Sequence, residues 1–169
     1  ITFAAKKDIN LSFTKDSGKY WQYISDRTMG GVSEGKATLG QDGEMFFVRL
    51  SGNVSTENNG GFIQVRSKFS FASFQKNGKK PKGVRINVRG NSEIYYIFIR
   101  TNEARSYSDF YLSSFRANSK WEMIDMPFNS FKHRLSNNFN LEGKKIQTFS
   151  IVAYGYDFIS DVSVSTITL

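Results

Sequence analysis

Apolar and polar residues alternate with a period of two along much of the chain, whereas the 3.6-residue period of an amphipathic helix is almost absent. In segment 84–89, for example, valine and isoleucine alternate with arginine and asparagine. This alternation predicts half-buried antiparallel strands. Segment 94–99 is apolar at every position, which predicts a strand that is buried on both faces. Further strands are predicted at 46–50, 61–67, 108–115, 121–126, 146–154 and 158–168.

Turn-forming residues separate the predicted strands. Asn59-Gly60-Gly61 and Asn77-Gly78 are examples of sequences that tolerate positive φ, as hairpin turns require. Residues 76–82 predict an exposed basic loop, and residues 127–140 predict a longer connection with one helical turn at 130–135. Many short strands without a linker or a repeat predict an all-β fold, namely a single-domain antiparallel β-sandwich or jelly roll over the whole chain.

The composition is that of a globular domain and removes several classes of chemistry. With 169 residues, 39% of them hydrophobic, the chain can bury a core without a disulfide or a metal. It has no cysteine and one histidine, which excludes a thiol nucleophile, a disulfide framework and a Cys- or His-rich zinc site. No apolar run approaches the ~20 residues of a membrane-spanning helix, so we expect a soluble protein. The first residue is Ile1, which fits a removed leader or a trimmed sequence and leaves bacterial cytoplasm, periplasm and mitochondrion open.

The net charge of +8 is concentrated in one quarter of the chain. Between Gln64 and Arg105 there are ten basic and two acidic residues, a difference that equals the whole excess. Such a segment would attract an anionic surface (nucleic acid, lipid or acidic protein), and it equally fits a solvated edge that favours solubility. Interleaved arginines and aromatics also suit nucleic acid, but residues 60–65 lack the alternating helices of an RNA-recognition fold, so nucleic acid is disfavoured.

One short motif resembles a hydrolase signature. The sequence Gly31-Val32-Ser33-Glu34-Gly35 matches the G-x-S-x-G nucleophile elbow, and Asp125 and His133 could complete a triad. The elbow requires a helix after the serine, whereas residues 36–40 predict a strand that leads into a turn. His133 also lies between two basic residues, which disfavour its imidazolium form. We therefore interpret the match as accidental and predict that the protein is not an enzyme.

The carboxylates give no stronger prediction of chemistry, and no cofactor is predicted. Asp26 and Glu57 are candidates for a two-carboxylate site, but spacing in sequence cannot set the separation that such a site needs. Acidic loop residues could help to bind a structural calcium ion, although none forms a recognisable calcium-binding loop; these residues are Asp42, Glu44, Asp109 and Asp157.

The strongest candidates for binding are polar residues within glycine-rich apolar segments. Arginine forms bidentate hydrogen bonds, aromatic faces stack on sugar rings or bases, and adjacent glycines let the backbone approach a ligand closely. An alternative is that Asp26 and Arg27 form a buried salt bridge that closes the sandwich. The candidate ligand- or partner-binding residues are Asp26, Arg27, Ser33, Asn58, Arg66, Arg89, Tyr95, Arg100 and Trp121.

These segments resemble, in order along the chain, the complex I intermediate-associated protein 30 family. Trp21 and the sequence SDRTMGGVS at 25–33 resemble the family's tryptophan and its N-D-x-x-M-G-G-x-S signature. Residues 52–66 resemble its second block, and residues 121–128 follow in the family's order. The resemblance is strongest over residues 21–169.

The resemblance implies a galactose-binding-domain-like jelly roll, close to family 11 carbohydrate-binding modules, and an assembly-factor or chaperone-like role for mitochondrial complex I. Asn91-Ser92 departs from the family's usual Asp-Gly, which puts any ligand contact of that aspartate in doubt. Two hypotheses follow. In the first, a non-catalytic domain recognises a protein partner, and segment 64–105 faces acidic protein or anionic lipid. In the second, the concave face of the sandwich binds an oligosaccharide, with Tyr95, Tyr111 or Trp121 stacked on sugar rings.

Overall fold

The computed structural model describes residues 10–68, 70 and 81–169, and two antiparallel sheets in it pack face to face as a jelly-roll β-sandwich. The predicted fold class is therefore confirmed. The strands are β1 Asn10–Ser12, β2 Trp21–Ser25, β3 Glu34–Asp42, β4 Met45–Val54, β5 Phe62–Ser67, β6 Gly83–Gly90, β7 Ile94–Thr101, β8 Tyr111–Arg116, β9 Glu122–Pro127, β10 Lys132–His133, β11 Ile146–Tyr154 and β12 Phe158–Thr168. Short 3₁₀ turns lie at Ser17–Lys19, Asp26–Met29, Glu57–Asn59 and Phe128–Ser130. No helix in the described residues is both long and apolar enough to cross a membrane.

The two sheets divide the strands so that neighbours in the chain are often not neighbours in a sheet. Sheet A has the order β3-β4-β12-β6-β9, and β1 pairs with the end of β12 that lies beyond β4. Sheet B has the order β10-β8-β7-β11-β5-β2. Strand β11 thus lies between β5 and β7, with both of which it pairs antiparallel. The outward side chains of these three strands form the candidate site described below.

The core lies between the sheets and consists of the inward side chains of both. On β7, Tyr95, Ile97 and Ile99 point into this core and are 0% exposed. The outward residues Tyr96 and Phe98 of the same strand belong to a second apolar cluster on the outer face of sheet B. The prediction that segment 94–99 is buried on both faces is therefore confirmed.

Most predicted strands agree with the observed ones to within a few residues. Segments 146–154 and 158–168 coincide with β11 and β12. The strand predicted at 108–115 begins later, at Tyr111, because only there does the chain enter the sheet and β8 pair with β7. Strands β1 and β2 had no sequence prediction, since both are short and carry weak alternation.

The connection after β9 differs from its prediction. The helical turn predicted at 130–135 is wrong, because the 3₁₀ turn lies earlier, at Phe128–Ser130. Lys132 and His133 are instead extended and pair with β8 as strand β10. The basic loop predicted at 76–82 lies almost entirely outside the described residues.

The basic segment 64–105 does not form one continuous surface. Its strands β5 and β7 belong to sheet B, whereas β6 belongs to sheet A. Two arginines of β6 lie on the outer face of sheet A and form ion pairs with aspartates from outside the segment. The arginines of β5 and β7 lie on the opposite side of the molecule. Lys76, Lys79 and Lys80 lie outside the described residues.

Candidate functional site

A groove of roughly 660 Å³ lies on the outer face of sheet B. Its floor consists of outward side chains of β2, β5, β7 and β11. Residues 28–29 and 59–60 form one border, and the other consists of Tyr107, Ser108, Phe110 and Arg134. Because successive side chains of a strand point to opposite faces, every second residue of these strands determines the chemistry of the floor.

Aromatic rings form much of the groove surface. Phe98 and Phe110 stack with their ring centroids 4.1 Å apart, and Tyr154 packs edge-on against Phe98 at 5.3 Å. Phe62 belongs to the same apolar cluster. Tyr107 lies at the border and is 79% exposed. Apolar surface with a few convergent polar groups is typical of sites that bind small organic ligands.

Arg66 on β5 and Arg100 on β7 are brought to the same end of the groove across β11. Arg66 pairs in register with Ser150 and Arg100 with Thr148, two residues apart on the central strand. The Arg100 guanidinium lies over the ring of Phe110 at 5.2 Å. Two cations on adjacent positions of one sheet face repel each other, so this arrangement costs free energy unless an anion is bound.

The surroundings of the two arginines affect their ionisation. Burial, followed by repulsion from Arg66, lowers the pKa of Arg100 to about 10. Burial also lowers the pKa of Arg66. Arg100 nevertheless carries its full charge at neutral pH, because that value is still well above 7. Its Nη2 atom donates a hydrogen bond to the carbonyl oxygen of Tyr107 at 2.7 Å.

Several polar atoms at this end of the groove are buried and lack a hydrogen-bond partner. Buried polar groups are paired in the great majority of cases, because leaving one unpaired costs about 1–3 kcal/mol. In the described part of the chain, all such side-chain atoms belong to β5, β7 and β11 of sheet B. They are Gln64 Oε1, Arg66 Nε, Arg100 Nε and Nη1, Thr148 Oγ1 and Ser150 Oγ. Of these residues, Gln64, Arg66 and Arg100 line the groove, whereas Thr148 and Ser150 do not.

Asp26 is the centre of a second polar cluster, which lies behind one border of the groove. Its side chain is 0% exposed, and Oδ1 accepts a hydrogen bond from the Ser33 amide at 3.0 Å. Oδ2 accepts from Ser33 Oγ and from the Gly61 amide, both at 2.6 Å. Burial opposes ionisation, but these hydrogen bonds outweigh it, and the pKa of Asp26 is lowered. A Cβ atom on Gly31 or Gly60 would lie 2.4 Å from an atom of this carboxylate, so both glycines are needed for its close packing.

The structure does not contain the alternative salt bridge between Asp26 and Arg27. The Arg27 side chain points outward, where Nη2 donates to Glu34 at 2.7 Å and Nε donates to the Ser33 carbonyl oxygen at 3.0 Å. Asn58 donates to a backbone carbonyl of the same region at 3.3 Å. Since Asp26 and Ser33 are both 0% exposed, their side chains support the groove border and do not face a ligand.

Tyr95 lies in the core between the sheets and presents no ring face to solvent, since it is 0% exposed. Its hydroxyl donates to Asn91 Oδ1 at 2.6 Å and accepts from the Asp161 amide at 2.8 Å. Asn91 in turn donates to the Ile159 carbonyl oxygen at 2.8 Å. Asn91, which stands where the family usually has aspartate, is therefore part of a hydrogen-bond network that joins the two sheets. Tyr111, which is 5% exposed, is likewise a core residue.

Replacing Tyr95 with phenylalanine is expected to lower the free energy of unfolding by about 1–2 kcal/mol, because the Asp161 amide and Asn91 lose their partner. Urea unfolding measures this loss. Oligosaccharide affinity should stay within twofold of the wild-type value, because the ring is out of reach of the groove. A large loss of affinity with unchanged stability would contradict this assignment.

Arg89 and Trp121 lie on the outer face of sheet A, away from the groove. The Arg89 guanidinium lies 4.7 Å from the Trp121 ring centre and 5.3 Å from that of Phe47. Arg89 Nη1 and Trp121 Nε1 both donate to Asp42 Oδ2 at 3.1 Å. The structure thus separates these two predicted site residues from Arg66 and joins them in a compact cluster of their own.

The residues of the hydrolase-like motif do not come together. Ser33 is held by Asp26, whereas Asp125 forms an ion pair with an arginine of β6 on sheet A. His133 Nε2 lies on sheet B, 2.7 Å from Asp109 Oδ1, and this hydrogen bond holds the pKa of Asp109 below its usual range. The three residues needed for a triad therefore lie in three different parts of the fold.

Three of the four acidic residues considered for calcium, Asp42, Asp109 and Asp157, have protein partners. Asp42 accepts from Arg89 and Trp121, and Asp157 accepts from the amide and hydroxyl of Thr56. Across residues 10–68, 70 and 81–169, no three metal-ligating side chains gather at one point.

Sequence reasoning missed several residues of the groove. These include Gln64, Tyr107, Phe110, Arg134 and Tyr154. The available signal was segment 94–99, which is apolar on both faces although only one face of a sandwich strand reaches the core. An apolar outer face indicates a surface that something else contacts.

The fold and the groove define a β-sandwich binding domain. More particularly, the chain belongs to the complex I intermediate-associated protein 30 family, whose sequence model matches residues 9–160. No curated protein matches the sequence.

Solved structures share the fold at low sequence identity. The family 11 carbohydrate-binding module of the Clostridium thermocellum cellulase Lic26A-Cel5E has a TM-score of 0.71 and 14% identity, over 96% of this chain and 93% of that one. The family 11 module from the same organism in complex with a β-1,3-1,4-mixed-linked tetrasaccharide has a TM-score of 0.68 and 14% identity, over 95% and 94%. The family 30 module of the cellulase Cel9D-Cel44B from that organism has a TM-score of 0.58 and 13% identity, over 95% and 96%. These comparisons agree with the jelly-roll architecture.

Proposed function

We propose that this protein is a non-catalytic carbohydrate-binding domain that holds an oligosaccharide in the groove on the outer face of sheet B. The observation that carries the proposal is one groove that combines the exposed ring of Tyr107, the half-buried rings of Phe62 and Tyr154, and arginines with unpaired buried polar atoms. Sugars present apolar ring faces and hydroxyl groups together, and this surface complements both. The fold that the chain shares with the tetrasaccharide-bound family 11 module supports the same conclusion.

The size of the groove also suits an oligosaccharide. A volume of roughly 660 Å³ lies within the range of about 300–1,000 Å³ that is usual for ligand sites. From Phe62 to Arg66 along β5 the floor extends about 13 Å at 3.3 Å per residue, which is enough for more than one sugar ring. The apolar cluster and the arginines would therefore contact successive rings of one chain.

The test is isothermal titration calorimetry against a panel of neutral and acidic oligosaccharides, with one variant on each face. Tyr107→Ala removes the exposed ring at the groove border and is expected to weaken binding about tenfold or more. Trp121→Ala is the matched control, because it removes an aromatic ring from the outer face of sheet A. Its affinity should stay within twofold of the wild type. Circular dichroism would establish that both variants are folded.

Two results would refute the proposal. One is the absence of binding to every oligosaccharide in the panel. The other is the reverse pattern, in which Trp121→Ala abolishes binding and Tyr107→Ala leaves it unchanged. That pattern would move the sugar site to the aromatic cluster of sheet A.

A protein partner, in an assembly-factor or chaperone-like role, is the second candidate function. Family membership favours it, and so do the apolar residues Met29 and Tyr107, which are 64% and 79% exposed on opposite borders of the groove. This candidate predicts a purified partner whose binding survives enzymatic removal of its glycans and is lost in Met29→Glu. Loss of binding on deglycosylation would favour the oligosaccharide instead.

A further inference from the structure

The ion pairing of arginines differs sharply between the groove and the rest of the described surface. Outside the groove, four arginines form ion pairs with carboxylates, for example Arg49 with Asp161 at 2.8 Å and Arg85 with Asp125 at 2.6 Å. Arg66, Arg100 and Arg134 line the groove, and none of its lining residues is acidic. The groove lining thus carries three cationic side chains and no carboxylate.

The nearby carboxylates are occupied elsewhere. Asp109 accepts hydrogen bonds from His133 and from the Arg105 amide. Asp26 is 0% exposed and is surrounded by hydrogen-bond donors at the opposite end of β5. Neither carboxylate lines the groove. Asp109 lies close enough to favour the charged form of Arg100, but burial and repulsion from Arg66 outweigh it and lower the pKa of Arg100.

The unpaired polar atoms indicate which kind of ligand the arginine end of the groove would bind. Arg66 Nε together with Arg100 Nε and Nη1 are three buried donors without an acceptor. The guanidinium fork matches the two oxygens of a carboxylate in a bidentate arrangement. Thr148 and Ser150 lie between the two arginines on β11, but Ser150 is 0% exposed and neither residue lines the groove, so the arginines provide the polar contacts.

Resting on the proposed function, we infer that the ligand is an acidic oligosaccharide, and that Arg66 and Arg100 bind the carboxylate of a uronic acid residue in it. The ring that carries this carboxylate lies at the arginine end of the groove. The following rings lie toward Phe62 and Tyr154, the half-buried aromatic residues of the groove. Specificity for charge thus comes from one end of the groove, and affinity for an extended chain comes from the other.

Calorimetry with ligands matched in shape tests this inference. The probes are hexuronate oligomers (α-linked galacturonate and β-linked mannuronate), their methyl esters, neutral oligomers of the same length, and a sulfated oligosaccharide. The methyl ester keeps the shape of the uronate and removes its charge. We expect a free uronate to bind at least tenfold more tightly than its ester, since hydrogen bonds to charged groups are the stronger ones. Raising the ionic strength should weaken binding of the uronate but not of the ester.

Variants assign the effect to the groove. Arg66→Gln is expected to reduce affinity for the free uronate at least tenfold and to leave affinity for the ester within about twofold. Arg66→Lys retains the charge but not the fork, so we expect an intermediate loss. Arg85→Gln on sheet A changes the net charge by the same amount and should alter neither affinity. A matching loss of uronate binding in Arg85→Gln would overturn the inference, because the effect would then come from overall charge.

The outcomes separate this inference from the proposed function. If neutral oligomers and esters bind as tightly as the uronates, the carboxylate inference is wrong and carbohydrate binding stands. If only the sulfated oligosaccharide binds, the arginines take a sulfate ester and the uronate assignment is wrong. If none of the saccharides binds, both the inference and the proposed function are overturned.

Discussion

Replacing Asp26 with asparagine lowers the free energy of unfolding by about 3 kcal/mol and the Tm by about 6–12 °C, the expected result for loss of a buried carboxylate that accepts several hydrogen bonds. Both carboxylate oxygens accept a backbone amide, Oδ1 from Ser33 and Oδ2 from Gly61. An asparagine side chain has one oxygen only. Whichever way its amide is oriented, the NH₂ group faces a backbone N–H, and that donor is left buried and unpaired.

The pH dependence of stability provides an independent measurement of the same effect. The pKa of Asp26 is lower in the folded protein than in the unfolded chain, where it is about 3.9. Its contribution to stability is therefore complete above about pH 4 and is lost as the pH falls through the folded-state pKa. Urea unfolding at neutral pH and at pH values below 4 should show that the difference between wild type and Asp26→Asn shrinks on acidification.

The control for this prediction is Asp125→Asn. Asp125 forms an ion pair with Arg85, but both side chains are more than half exposed, so we expect a much smaller loss of stability than in Asp26→Asn. A difference between wild type and Asp26→Asn that does not change with pH would contradict the proposed role of the charge. So would an Asp125→Asn variant as unstable as Asp26→Asn.

Gly31→Ala is expected to lower the free energy of unfolding by about 3 kcal/mol through steric overlap. The added Cβ would lie 2.4 Å from Asp26 Cγ, 2.6 Å from Oδ1 and 2.8 Å from Cβ. Asp26 cannot move away easily, because Cβ is attached directly to the backbone and the carboxylate is fixed by its hydrogen bonds. Thermal unfolding followed by circular dichroism measures the loss.

Gly18→Ala serves as the matched control. A Cβ at Gly18 meets no atom within 4 Å, so the same substitution should leave the stability unchanged or slightly raise it. If Gly31→Ala is as stable as the wild type, the loop that carries Ser33 can move away from Asp26, and the tight packing of this cluster is not required for folding.

Part of the Asp26 cluster could be identified from the sequence, because several of its residues lie close together in the chain. Asp26, Gly31 and Ser33 lie within eight residues of each other, and a short loop brings them together. Their identification as a polar group among glycines was possible without a structure. That these residues are buried and support the groove border could not be predicted, because their burial comes from Gly60 and Gly61 in a distant loop.

The sequence by itself determined the strands and thus the β-sandwich, because a period-two pattern specifies which side of each strand is buried. It could not determine which strands become neighbours. Segment 64–105 is uniformly basic in sequence, yet its arginines end on opposite faces, because β6 joins sheet A and β5 and β7 join sheet B. Long-range antiparallel pairing alone places Arg66 and Arg100 on either side of β11, and it places Arg85 and Arg89 beside aspartates. The groove is a property of that pairing, since its residues come from strands that lie far apart in the chain and are joined only by backbone hydrogen bonds of the sheet.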